Sequence, residues 1–176
     1  MNNIERITLL VLFIILISTA INIFTEELVN ADSFLSQIPT GIALTNAEDV
    51  TEDASGNIYA VVNHNVKKLT SDGKLLLEFG SFGSADGQFS YPQGIALDSS
   101  GNIYVADTNN HRIQKFNSTG AYQSKFGSSG NADGQFSSPH GIALDSSGNI
   151  YVADTGHHRI QKFNSTGAYQ SKFGSS

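Results

Sequence analysis

Cysteine is absent from this chain. A disulfide framework, a Cys-ligated zinc site and a thiolate nucleophile are therefore all excluded. Tryptophan is absent too, and proline occurs only 3 times. Charge is sparse at 15% of residues, and the basic share is the smaller: 10 Lys and Arg against 16 Asp and Glu, for a net charge of −6. A protein that grips phosphates carries a basic stripe. None is visible, so no nucleic-acid partner is expected. Helical patterning is scarce beyond the N-terminus. What is plentiful is glycine, 17 residues, with Phe and Tyr supplying the aromatics. That mixture suits short strands and many turns.

The N-terminus is different material. ITLLVLFIILISTAINIF, Ile7–Phe24, is almost wholly apolar and uncharged. Leu9–Ile17 fits the apolar stretch of a secretory signal, and Val29-Asn30-Ala31 offers small residues for cleavage after Ala31. The rival reading is an uncleaved transmembrane anchor, since a bilayer span takes about 20 apolar residues. Both remain open, and both place the protein outside the cytoplasm: extracellular, at the cell surface, or anchored there through residues 7–24. Residues 1–31 are thus the signal peptide or membrane anchor, and 32–49 an irregular lead-in or partial strand.

A long internal repeat follows. Pro92–Ser129 and Pro139–Ser176 match at 35 of 38 positions. They differ only at Gln93/His140, Asn109/Gly156 and Asn110/His157. A worn copy precedes them: SGNIYAVV at Ser55–Val62 and KLTSDGKLLLEFG at Lys68–Gly80 match later segments. Between those two segments it is two residues short, where DTNNHR is expected, and it reads as having lost the Asp and the His-Arg pair. The units are 50–91 (degenerate, with linker), 92–138 (repeat with linker) and 139–176.

Each unit reads as four strands: Gly94–Leu97, Ile103–Asp107, Arg112–Phe116 and Tyr122–Phe126 in the middle copy. DSSGN and NSTG place Gly where hairpin turns need a positive φ. GIAL and IYVA are apolar on both faces, so that half of the sheet must be covered twice. The third and fourth strands, as in Ile113-Gln114-Lys115-Phe116, alternate with polar residues and read as wetter. A sheet buried toward one edge and wet toward the other is a propeller blade, its first strand near the axis.

The run PxGIALDSSGNIYVADTxxHRIQKF resembles the NHL repeat, closely over Pro92–Ser176 and loosely over Val50–Gly80. The resemblance implies an all-β chain of NHL-type β-propeller blades, about three four-stranded blades forming a partial propeller behind the N-terminal hydrophobic signal or anchor helix. The paired glycines of Kelch repeats and the Trp-Asp of WD repeats are missing.

Asp107, His111 and Arg112, with Asp154, His158 and Arg159, are the repeat signature. They read as framework: the Asp accepts hydrogen bonds from the turn that follows, and the Arg fork ties strands or blades, worth about 1–3 kcal/mol each. No catalytic set, metal set or cofactor site emerges. The histidines lack a rigid ligand spacing, no Gly-x-Ser-x-Gly elbow is present, and Asp86 or Asp133 alone falls far short of the oxygens calcium takes. In an up-and-down blade the Thr108–His111 turn and the between-blade loop Asp86–Gln93 share one face. The candidate ligand-face residues are therefore Gln93, Thr108, Asn109, Asn110, His140, Thr155, Gly156 and His157. On the other face Asn117 and Asn164 sit in glycosylation sequons, within turn-forming NSTG.

The resulting expectation is an exported, non-enzymatic binding or scaffold module for a protein, glycan or other ligand. The resemblance also leaves an alternative, a lyase- or lactonase-like propeller enzyme, and a second, a truncated piece of a longer repeat protein. RING and B-box modules, to which some NHL domains are fused, are excluded by the missing cysteines. About three blades fall short of the 4–8 that close a propeller. Self-association is expected, driven by inner-strand residues such as Ile95, Leu97, Ile103, Val105, Ile142, Leu144, Ile150 and Val152 that an open arc leaves uncovered.

Overall fold

Alternation of side chains along one strand explains how the sheets stack. In IYVAD, Ile103–Asp107, Ile103 and Val105 point to one face, and Tyr104 and Ala106 to the other. The computed structural model, which describes residues 42–174, buries all five. Ile103 and Val105 join a core cluster with Tyr59, Val61, Val66, Phe89 and Phe116. Tyr104 and Ala106 join a second cluster with Ile113, Phe136, Ile150, Val152 and Phe163. One strand thus serves two cores, and its lack of polar alternation follows from that.

The chain forms three four-stranded antiparallel sheets in simple up-and-down order. The first holds β1 (Ala47–Glu52), β2 (Ile58–Val62), β3 (Asn65–Leu69) and β4 (Leu75–Phe79). The second holds β5 (Gly94–Leu97), β6 (Ile103–Asp107), β7 (Arg112–Phe116) and β8 (Tyr122–Phe126). The third holds β9 (Pro139–Leu144), β10 (Ile150–Asp154), β11 (Arg159–Phe163) and β12 (Tyr169–Phe173). The leading strands β1, β5 and β9 pack in succession, as blades around an axis do. The proposed signal or anchor segment lies outside the described residues. Among those that are described, no helix is long and apolar enough to cross a membrane.

A phenylalanine from each connecting loop wedges between blades. Phe89 is fully buried and packs 5.5 Å from the Phe116 ring, while Phe79 stands 4.9 Å from Phe116. Phe136, Phe126 and Phe163 repeat the arrangement, at 5.5 and 4.8 Å. Gly80 makes room for the wedge: its φ is 96°, and a Cβ there would lie 2.5 Å from the Phe89 ring. Burying each such ring is worth about 1.5–3 kcal/mol.

The first blade begins at Ala47, within the stretch read as a lead-in or partial strand, because AEDVTE pairs with β2 despite its acidic residues. Two expectations need correction. Gln114 and Gln161, read as polar positions of a wetter strand, are fully buried. The inner-strand residues expected to be uncovered are largely covered, with Ile95, Ile103, Val105, Ile150 and Val152 at 3% exposure or less and Leu97, Ile142 and Leu144 half-buried. Neighbouring blades and the loop phenylalanines suffice to shield them.

The apolar surface that remains lies elsewhere. Ile160 is 45% exposed and Phe173 55%, whereas Ile113, the counterpart of Ile160, is fully buried beside Phe136. Ile160 and Phe173 together leave an apolar patch on the third blade. We expect the purified chain to self-associate through it at micromolar concentration, with Ile160→Lys plus Phe173→Lys shifting light-scattering mass toward the monomer. A wild-type chain that is already a cooperative monomer contradicts this.

Candidate binding face

β6 ends at Asp107 and β7 begins at Arg112, and the register pairs the two across the sheet. Gln114, two residues on, projects to the same side. Asp107 and Gln114 are fully buried and Arg112 is 6% exposed. Arg112 Nε donates to Asp107 Oδ2 at 2.7 Å, and Gln114 Nε2 to the same oxygen at 3.1 Å. The Ser90 N–H donates to Oδ1 at 2.7 Å, and Asn110 Nδ2 reaches both oxygens at 3.0 and 2.9 Å. Arg112 then spends its remaining arms on the incoming loop. Nη1 donates to Ser84 O at 2.9 Å, and Nη2 to Ala85 O and Gln88 O at 2.9 Å. Gln114 completes the latch, accepting from Gly87 N–H at 3.0 Å and donating to Gln88 O at 2.7 Å.

The third blade repeats this with one exchange. Asp154 accepts from Ser137 N–H at 2.7 Å, Arg159 Nε at 2.7 Å and Gln161 Nε2 at 3.0 Å. Arg159 holds the carbonyls of Asn131, Ala132 and Gln135. His157 Nδ1 takes the place of Asn110, 3.0 Å from Asp154 Oδ2. Burial on its own raises the Asp154 pKa; the Ser137 N–H, Arg159 and His157 more than offset it, and the net pKa lies below the ordinary carboxylate value.

These contacts extend the roles read from sequence. The Asp is met by the side chain of Asn110 or His157 in the turn that follows, though it makes no cap bond to that turn's backbone. It also holds the loop that enters its own blade. Asn110 and His157, placed among the ligand-face candidates, are spent on this carboxylate. Thr108 is 3% exposed and donates to Pro139 O at 2.8 Å, so it is a blade-to-blade tie. Asn109, Thr155 and Gly156 are exposed on the face, with Gln93 and His140 half-buried beside them. The shared face itself is built by contacts: Asn109 N–H donates to Ser90 O at 3.1 Å and Asn110 Nδ2 to Gly83 O at 2.9 Å.

His111 has a separate duty. It sits in the left-handed region at φ 52°, and its Nδ1 accepts the Ser138 N–H of the next loop at 3.1 Å. His158 repeats the conformation at φ 53° and is exposed. The worn blade has not lost this histidine. His64 Nδ1 accepts the Tyr91 N–H at 3.4 Å, in the same role. Only the Asp and Arg places have changed, since Val62 and Asn65 are the cross-strand pair there. Counting back 47 residues from His111 finds His64; the two-residue shortening lies just ahead of it and hides the match when the register is carried from Ser55.

The opposite face is a second repeated device. Asp98 Oδ1 accepts from Ser100 and Asn102 N–H at 2.9 Å, and Lys115 lies 5.1 Å over the Tyr104 ring. Asp53 and Asp145 do the same, and the side chains of Asn57 and Asn149 hold their pKa values below the usual range. Asn117 and Asn164 are half-buried in the NSTG hairpin turns, where each side-chain oxygen accepts from the Thr two residues on. Asp86 and Asp133 are engaged by Lys125 at 2.5 Å and Lys172 at 2.8 Å. Among the described residues, no three of His, Asp and Glu stand together as a metal set.

Up-and-down four-stranded sheets stacked by their leading strands define a propeller-type repeat protein. The NHL repeat family matches residues 89–116 and 136–163. Each match opens on the wedging Phe89 or Phe136 and closes on Phe116 or Phe163, and so spans the first three strands of the second or third blade. A search of curated proteins finds no significant match. Solved structures similar to the chain include a streptogramin B lyase, at 20% identity over 71% of this chain and 39% of that one, TM-score 0.56. A catalytically inactive variant of virginiamycin B lyase from Staphylococcus aureus with quinupristin shares 18% identity over 77% and 43%, TM-score 0.58. Hydrazine synthase of Kuenenia stuttgartiensis shares 15% over 79% and 39%, TM-score 0.58. These likenesses are of fold, and the chain spans about two fifths of the length of those structures.

The latch should be costly to break. Removing one partner of a buried ion pair costs about 3–5 kcal/mol, and Asp107 keeps Ser90, Asn110 and Gln114, so Arg112→Ala belongs near the lower end. This exceeds the sequence-based value because the pair is wholly buried. The acid side follows from the depressed carboxylates Asp53, Asp145 and Asp154. A lowered folded-state pKa contributes stability that is fully present above the unfolded value, about pH 4, and is lost as pH falls through the folded one. Denaturant melts of wild type and Arg112→Ala across pH 7 to 2 check both. An unchanged midpoint in the variant, or a wild type whose stability rises below about pH 4, contradicts the account.

Proposed function

We propose that the chain is an exported, non-enzymatic binding module whose ligand, a protein or glycan, docks on the face formed by the β2–β3, β6–β7 and β10–β11 turns and the between-blade loops. One observation carries the reading. The charged signature of the repeat is consumed internally, by Asp107 and Arg112 in one blade and by Asp154 and Arg159 in the next. The positions at which the near-identical repeats differ all gather on that face. The pairs Gln93/His140 and Asn109/Gly156 take no part in the latch and lie where a ligand would read them, while the charged signature sits where none can reach it. The apolar Ile7–Phe24 supports export, by signal peptide or anchor. Exposed Ile160 and Phe173 support assembly with further blades, from a second copy or a longer chain. The lyase names belong to the similar structures; at under 25% identity they transfer no activity.

Cross-linking capture at the cell surface tests this with two paired variants. Gln93→His with Asn109→Gly makes the second repeat resemble the third while sparing the latch, because the Asp107 carboxylate is met by Ser90, Asn110, Arg112 and Gln114. Asn117→Gln with Asn164→Gln alters the opposite face. We expect the first pair to change ligand recovery several-fold and the second to leave it intact. The reverse pattern, or a cytoplasmic protein retaining Met1, overturns the proposal.

A further inference from the structure

The two blade junctions differ. At the second junction the turn from Thr108 to His111 lies against the next blade, and Thr108 donates to Pro139 O. The first blade has only Asn63 and His64 between β2 and β3. The shorter turn leaves the space above Pro92, the counterpart of Pro139, unfilled. A cleft of about 290 Å³ opens there, lined by Asn46, Glu48, Asn63, His64, Tyr91 and Gln93.

The surroundings are unlike those of the second junction. Tyr91, in the lining, is 60% exposed, and Phe82, outside the cleft but packed against His64, is 65% exposed. Their counterparts 47 residues on are Ser138 and Ser129. The His64 ring packs 4.8 Å from Phe82 and 5.0 Å from Tyr91, edge-on to the latter. Tyr91 is held at φ 49°, a left-handed conformation uncommon for a bulky side chain. Gln93 Oε1 is buried without a hydrogen-bond partner, alone in this among side-chain atoms of the described residues. A buried acceptor left unpaired costs free energy until a donor reaches it.

We propose that this cleft binds a saccharide. The assignment rests on the binding-face reading above and names its ligand class. A sugar presents C–H bonds on one face and hydroxyl donors around its rim. Tyr91 offers an aromatic surface for the first. The Glu48 carboxylate and the Asn46 amide oxygen offer acceptors for the second, with the unpaired Gln93 Oε1 sealed behind them until its side chain turns outward. Asn63 Oδ1 already accepts from Asn46 Nδ2 at 2.9 Å. The acceptor-rich lining favours a neutral or amino sugar over a phosphate or sulfate, in keeping with a net charge of −6. A purely apolar ligand would leave the Gln93 acceptor unpaired.

The test titrates the full chain with chitotetraose, cellotetraose, xylotetraose and maltotetraose, followed by saturation-transfer NMR and tyrosine fluorescence. At least one should saturate the protein with a Kd below about 1 mM. Tyr91→Ser, Phe82→Ser and Gln93→His install the residues of the next repeat at equivalent backbone positions, so folding should persist, as melting curves will verify. Tyr91→Ser and Gln93→His should each weaken binding about tenfold or more. Grafting the Thr108–His111 turn in place of Asn63-His64 should fill the cleft and abolish binding. Binding undiminished in folded Tyr91→Ser and Gln93→His overturns the proposal. If no tetraose binds but a polypeptide is captured through the same residues, the saccharide assignment falls and the binding-module reading stands. If neither binds, both fall.

Discussion

A carboxylate sealed from water must have every lone pair met by protein donors, or its burial is ruinous. Asp107 and Asp154 impose that condition on the rest of the chain. Each draws in an arginine, a glutamine and a backbone N–H from the loop that enters its blade. Satisfying the arginine then requires three loop carbonyls, which folds the loop back on itself. That fold aims Phe89 or Phe136 into the seam between blades. The polar latch and the apolar wedge are therefore one construction. The latch sets the loop's path, and the wedge supplies the apolar burial.

The first blade shows what happens when the condition is relaxed. With Val62 and Asn65 in the key places, there is no carboxylate to satisfy. Asn65 makes a single bond to Gly80 O at 2.9 Å. The turn is free to shorten, and the histidine contact survives because the His64 imidazole keeps its place against the Tyr91 N–H. Losing two residues there bares the space above Pro92. A junction that is framework elsewhere in the chain becomes a cleft with aromatic walls.

The strand limits of the middle blade were legible in the sequence because period-two patterning and glycine turns mark them independently. The blade architecture was legible too, since IYVAD has no polar face to turn outward. Gln114 and Gln161 were misread because a glutamine in an alternating strand looks solvated; only the buried Asp beside it makes burial favourable. Asn110 and His157 misled for a related reason. Positions that vary between repeats look free, yet amide and imidazole can serve the same carboxylate. The cleft at Gln93 was the least legible feature. The shortening of the first blade was visible, but what it uncovers depends on Thr108 filling the matching space one blade later, a contact across 31 residues.

Amide hydrogen exchange at Ser90 and Ser137 tests most directly whether the buried carboxylates organise the loops. Both N–H groups lie in connecting segments, outside any strand, where exchange is ordinarily fast. If Asp107 and Asp154 hold them, their protection should approach that of the central strands β6 and β10 and collapse in Asp107→Asn and Asp154→Asn. Exchange at loop-like rates in the wild-type protein, with β6 and β10 still protected, would contradict the account.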